Sequence, residues 1–266
     1  MGFFCALYIL LLRKKNNVFA TIGCSFTRGE RLFYHRYIED DKLSQESRAI
    51  IPIFGQGTEP PENHMAIATI QDKRFQLDIS YTGLLSKRLN CEYFTKSGDN
   101  FSNIDEHIPR WVEMSRTVLK RKLDFIVLQL TDTQRDIENH QEFWDKMNSF
   151  STSPKERDKL WHHLDVEIPK ETVDKVLETN KLCKDNDIDL LVWSWQDKLA
   201  NLIKDEDFFI PIIYEGKSYI CYEDMRGEHN VGLDQIFLTE DTHPNKLFNI
   251  ILCDSIIRKL KEKGII

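Results

Sequence analysis

Ser25, Asp241 and His243 are the residues whose types could do chemistry together, and Ser25 sits in a small polar turn, Gly23-Cys24-Ser25-Phe26-Thr27. A serine hydroxyl becomes a nucleophile when a neutral imidazole takes its proton, and that imidazole needs a carboxylate to fix its tautomer and stabilise its charged form. The chain supplies all three groups in the order Ser, Asp, His, with one residue between Asp241 and His243. Each also has a plainer use. A serine after a strand commonly closes a turn, and an Asp-x-His ahead of a helix commonly supplies a cap and a surface imidazole. Cys24 is a rival nucleophile at the same turn, with small-group packing as its ordinary role.

The elements that must position these groups can be read from hydrophobic periodicity. Val18 to Ile22 form a short apolar run that stops at Gly23, the pattern of a strand buried on both faces. The turn carrying Ser25 then lies where a parallel strand ends, the edge of an α/β sheet at which ligands bind. Cys91 to Thr95 reads as a second strand with Gly98 just beyond it, Leu123 to Leu130 as the third, ending at Thr131, and Ile188 to Trp195 as the fourth. Between them, Tyr81, Leu84, Leu85 and Leu89 share a helical face, as do Ile104, Ile108, Trp111 and Val112 after a Ser102-Asn103 cap. Another helix is expected over about 171–184. Residues 208–235 read as loops or a small hairpin, and Ile236 to Leu238 as the approach to Asp241 in a fifth strand. Pro244 is expected in the first turn of a last helix, whose Phe248, Ile251, Leu252, Ile256 and Leu260 face the sheet. Strands alternating with helices predict a flavodoxin-like three-layer α/β/α domain around a central parallel sheet of about five strands.

Three of these stretches, in this order, resemble the sequence blocks of the SGNH (GDSL-type) hydrolases. Gly23-Cys24-Ser25-Phe26-Thr27 is similar to the first block, which carries the nucleophile; Ser97-Gly98-Asp99-Asn100 to the second; and Asp241-Thr242-His243-Pro244-Asn245 to the last. The third block departs from the pattern. The family has Gly-x-Asn-Asp after the third strand, and this chain has Gln129-Leu130-Thr131-Asp132-Thr133, without the asparagine. The resemblance implies the same fold and a serine esterase acting on an ester, such as an O-acetyl or other acyl ester of a carbohydrate or lipid. It implies a Ser25, Asp241 and His243 triad, with the N–H groups of Ser25 and Gly98 forming an oxyanion hole. A glycine there can take positive φ and turn its N–H inward. Thr131, Thr133 or Gln129 would replace the asparagine donor. Neither metal nor organic cofactor is implied. Two alternatives stand beside it: an O-acyltransferase using the same triad, and a non-catalytic carbohydrate-binding or structural protein, which the altered third block suggests.

Two further residues are candidate substrate contacts. Arg135 would bind a substrate anion, with a salt bridge to Asp132 or Asp136 as its plainer use. Trp195, at the end of the fourth strand, would floor an acyl or sugar pocket, with core packing as its default. His162-His163 are adjacent, so they do not share a helix face, and they read as surface residues and not as metal ligands.

Composition bounds the remaining possibilities. The chain of 266 residues is 41% hydrophobic, enough for one sizeable core, and residues 17–266 read as a single domain with a long excursion over about 29–76. Phe33, Tyr34, His35 and Tyr37 of that excursion would wall the substrate site or pack it onto the domain. A formal charge of −7 and a pI near 5.7 argue against a nucleic-acid partner held through phosphates. Six cysteines without a Cys-x-x-Cys indicate neither a zinc site nor a disulfide framework, and a cytoplasmic location is the expectation. Residues 1–16 read as an apolar extension. Its first twelve are too few to span a bilayer, and they leave a membrane-surface anchor open.

Overall fold

The computed structural model describes residues 18–23, 27, 70–97, 108–113, 117, 122–131, 140–228 and 244–266. Four strands form a parallel sheet: β1 (Val18–Gly23), β2 (Glu92–Ser97), β3 (Phe125–Leu130) and β4 (Asp189–Ser194), in the order β2-β1-β3-β4. Every residue of β1 and of β3 is buried, as continuous apolar runs covered on both faces require. This is the doubly wound order, with β1 at the centre and the chain crossing to either side.

Alternation along the strands divides the core into two layers. Phe19, Phe125, Val127, Leu191 and Trp193 face one way, against Tyr81 and Leu85 of α2 (Tyr81–Leu89) and Phe248, Leu252, Ile256 and Leu260 of α8 (Lys246–Glu262). Val18, Ala20, Ile22, Ile126, Leu128, Leu190 and Val192 face the other way. They meet Val176 and Cys183 of α5 (Ile168–Asp185), Leu199 and Ile203 of α6 (Asp197–Ile203), and Ile108 and Val112 of residues 108–113. Helices therefore cover both faces, and the fold is the flavodoxin-like three-layer α/β/α arrangement. The fold implied by the family resemblance is the fold observed.

The position next to β4 is filled from an unexpected place. Phe209 makes a parallel bridge to Val192, flanked by Val192 N–H donating to the Phe208 carbonyl at 2.9 Å and Ile210 N–H donating to the Val192 carbonyl at 2.8 Å. A stretch read as loop from its sequence thus adds a short fifth rail to the sheet. The expected fifth strand at 236–238 lies outside the described residues. After Phe209, β5 (Ile212–Tyr214) and β6 (Lys217–Tyr219) form the anticipated small hairpin. Glu215 and Gly216 turn it at positive φ, and α7 (Tyr222–Glu228) follows.

Other differences have local causes. Helix α1 (Ile70–Ile79) occupies the end of the segment read as excursion. It packs so closely on α2 that a Cβ added to Gly83 would lie 2.1 Å from the Leu77 carbonyl oxygen. Pro244 is not in the first turn of α8. It precedes Asn245, whose side chain accepts from the Phe248 N–H at 3.1 Å and caps the helix. The polar stretch before residue 169 is helical: α3 (His140–Asn148) and α4 (Pro154–His162) lead through a widened turn at His163–Glu167 directly into α5. Pro169 lacks the N–H that would continue the ladder, and the Ile168 N–H reaches back to the His163 carbonyl instead. His162 is exposed and His163 pairs with Glu167 at 2.6 Å, a local surface contact. Among the described residues no cluster of His, Cys, Asp or Glu could hold a metal ion, and no helix is long and apolar enough to cross a membrane.

Four cysteines, Cys91, Cys183, Cys221 and Cys253, are buried free thiols. Burial pushes Cys183 and Cys253 up to about 12 and Cys221 up to about 11. Only the thiolate attacks alkylating agents, and at pH 8 these groups hold their protons. Native protein treated with iodoacetamide at that pH should therefore carry no label at Cys183, Cys221 or Cys253 by peptide mass spectrometry. Rapid alkylation at any of them would mean that the core opens at that point.

Candidate active site

The parallel register sets the C-terminal ends of the strands side by side. Gly23, last in β1, is level with Ser97, last in β2, and Ile22 is level with Leu128 in β3. Thr131 follows β3 directly and is buried. Trp195 follows β4, half-buried, with its backbone N–H donating to the Leu130 carbonyl at 3.1 Å and its ring edge-on to Tyr222. Ser25, Gly98, Arg135, Asp241 and His243 lie outside the described residues, as do Thr133 and the excursion aromatics. Among the described residues, Gly23 and Thr27 flank the turn that carries Ser25, Ser97 precedes Gly98, and Pro244 follows His243.

Gly23 and Thr27 bracket Ser25, and both are fixed by a buried polar knot. The Thr27 hydroxyl donates to Gln129 Oε1 at 2.7 Å and lies 2.9 Å from the Tyr81 hydroxyl. A threonine hydroxyl has one proton, so with Gln129 as acceptor the second contact must run from the Tyr81 O–H to Thr27. The Thr27 carbonyl accepts from the Thr82 hydroxyl at 3.3 Å, and Thr82 Oγ1 lies 3.0 Å from Thr21 Oγ1 in β1. Thr27 is fully buried, so each of these groups would cost about 1–3 kcal/mol if left unpaired. Gly23 is required by close approach: a Cβ there would fall 2.1 Å from Thr27 Oγ1 and 2.5 Å from Gln129 Oε1.

The same knot reaches the other end of the chain. Tyr81 begins α2, and its backbone N–H, in the first turn of the helix, donates to Asn249 Oδ1 at 2.8 Å. Asn249 Nδ2 donates to the Asn245 carbonyl at 2.9 Å. The two contacts fix the amide orientation, because the reverse placement would set donor against donor and acceptor against acceptor. Asn245 is two residues from His243. Tyr81, Asn249 and Asn245 are all buried, and the chain of bonds runs Gln129, Thr27, Tyr81, Asn249, Asn245.

Two residues weighed in the sequence have structural uses here. The oxygen of Gln129 is engaged in holding Thr27, which gives this side chain a structural use beneath the turn. The cap of the last helix belongs to Asn245, so Asp241 is not needed for that role. Neither Tyr81, read as one residue of an apolar helical face, nor Asn249 stands out in the sequence as a site residue. Tyr81 stands in an apolar helical repeat and Asn249 interrupts another, and the one available signal was that interruption on the buried face of α8.

No family model matches the sequence, and no curated protein matches it. Two solved structures show a distant likeness. One is a protein from Desulfitobacterium hafniense DCB-2 described as lipolytic and of the G-D-S-L family, 11% identical, TM-score 0.42, covering 92% of this chain and 100% of its own. The other is a two-domain esterase active on acetylated mannans, 12% identical, TM-score 0.39, covering 96% of this chain and 52% of its own. Both TM-scores fall below 0.5, too low to bear on activity.

Proposed function

We propose that this chain is a serine esterase-like hydrolase that cleaves an ester, of the class of small-molecule or glycan acyl esters, at the C-terminal edge of its sheet. The observation that carries the reading is the strand register. It brings Gly23, Ser97 and the end of β3 to one edge, and Ser25, Gly98 and Thr131 each follow one of these strand ends within two residues in the sequence. In this reading Ser25 Oγ attacks the ester carbonyl while His243 takes its proton, and Asp241 orients the imidazole and stabilises its charged form. The N–H groups of Ser25 and Gly98 hold the oxyanion, with the Thr131 hydroxyl as third donor where the family pattern has asparagine. His243 then returns the proton to the leaving alkoxide, and water attacks the acyl group in a second cycle of the same kind. Arg135 and Trp195 contact the acyl or alcohol portion.

The test is covalent labelling with a fluorophosphonate, which reports an activated serine before any natural substrate is known. Wild-type protein should carry the label on Ser25, and Ser25→Ala and His243→Ala should not. Failure of the wild type to label and to hydrolyse p-nitrophenyl acetate, or equal labelling of Ser25→Ala, would remove the hydrolase reading.

A further inference from the structure

We infer that Tyr81 and Asn249 are positioning residues: they form a buried brace that sets the turn after β1 against the segment leading into α8, and so fixes Ser25 relative to His243. The inference rests on the proposed roles of those two residues, but its geometry is independent of them. Thr27 is held by the Tyr81 hydroxyl at 2.9 Å, and Asn245 is held by Asn249 at 2.9 Å. Tyr81 joins the two, its side chain serving the first and its N–H bonding to Asn249 Oδ1 at 2.8 Å. A triad assembled from opposite ends of a chain has no local means of setting its own spacing. The two turns leave different elements, and each could shift by a fraction of an ångström without breaking either element.

Tyr81 is suited to the task because its position is determined independently on three sides. Its ring stands edge-on to Trp193 at 5.9 Å in the core, its backbone is the first turn of α2, and Ser80 caps that helix by accepting from the Gly83 N–H. A rigid aromatic side chain transmits position with few torsions. Gln129 completes the brace from β3, so the turn is referenced to the sheet and to the last helix at once. Misplacement of about 1 Å remote from the chemistry can cost roughly 10²-fold in rate, so loss of one member should be read in turnover before it is read in folding.

The experiment compares Tyr81→Phe, Thr27→Val and Thr27→Ser in the full chain, with Asn249→Leu as a more severe variant. Tyr81→Phe keeps the ring and removes one oxygen, so its melting temperature should fall by no more than about 3 °C. Its kcat on p-nitrophenyl acetate, and its fluorophosphonate labelling rate, should fall about 10-fold with KM nearly unchanged. Thr27→Val should lower the rate alike, with a larger fall in melting temperature because it removes the partner of both Tyr81 O–H and Gln129 Oε1; Thr27→Ser should restore the rate, and the rate of Tyr81→Phe with Thr27→Val should be no worse than that of either alone. Hydrogen exchange followed by mass spectrometry should rise together in peptides covering 24–30 and 236–246. A fall in melting temperature with kcat and the second peptide unmoved would overturn the brace. A wild type that neither labels nor turns over ester would fail the hydrolase reading alone. The exchange arm would still decide: a joint rise keeps the brace as a coupling of the two turns, and a rise at 24–30 alone ends it.

Discussion

Ser25→Ala and His243→Ala should each lower p-nitrophenyl ester turnover by roughly 10⁴-fold or more, and the double variant should lose no more than either single one. The reason is that in the proposed mechanism nucleophile and base act in one step. Without the serine there is no oxygen for the imidazole to activate, and without the imidazole the hydroxyl attacks only at its unassisted rate. Asp241→Ala should be the milder lesion, retaining about 10²-fold more activity than His243→Ala, because the carboxylate orients and stabilises but neither attacks nor carries the proton. Steady-state kinetics on the four variants checks this. Losses that multiply in the double variant would mean that residues 25 and 243 act at separate places, whatever their individual effects. The altered third block affects the ceiling and not this pattern: a missing oxyanion donor lowers turnover by about 10²–10³-fold in every variant alike.

The strands were legible because burial on both faces leaves a sequence mark that few other environments imitate. Phe125 to Leu130 contains one polar residue in six, and that residue, Gln129, proves to be the one reaching Thr27. The last helix was legible for a related reason, with Phe248, Ile251, Leu252, Ile256 and Leu260 all buried on one side. Helix α4 was not, because it buries none of its residues and so carries no apolar stripe; it is specified by the Ser153 and Glu156 capping box and by Pro154 at its start. The rail at Phe209 was missed because it is a single bridge. A segment that pairs over so few residues shows no period. The brace was invisible for a different reason: its members are polar residues far apart in the sequence, each with an ordinary local use. Only the fold makes neighbours of Thr27, Tyr81 and Asn249. The candidate site could be named from an ordered set of short blocks, whereas the brace could not be named from sequence at all.

Gly23→Ala should destabilise the domain by about 3 kcal/mol and lower its melting temperature by roughly 6–12 °C, a large effect for one methyl group. Cavities and loose loops absorb a Cβ by moving, but three features remove that freedom here. Gly23 is the last residue of the central strand, in register with β2 along its length, so its own backbone cannot retreat without breaking the ladder. The nearest atom, Thr27 Oγ1 at 2.1 Å, is tied on one side to Gln129 and on the other to Tyr81. The third nearest atom is Gln129 Cβ at 2.6 Å, which is bound to the backbone of β3 and cannot swing aside as a side-chain tip could. Whatever yields, a buried polar group is left unpaired or the turn carrying Ser25 is displaced, and ester turnover should fall by at least 10²-fold, more than stability alone would require. Gly227→Ala is the control. A Cβ there meets nothing within 4 Å, and its backbone is helical, so this change should be neutral or should stabilise by about 0.5–1 kcal/mol. Thermal melts of the two variants side by side decide the matter: if alanine is accepted at both positions equally, the contacts at the end of β1 are looser than 2.1 Å requires, and the knot beneath Ser25 is not a fixed platform.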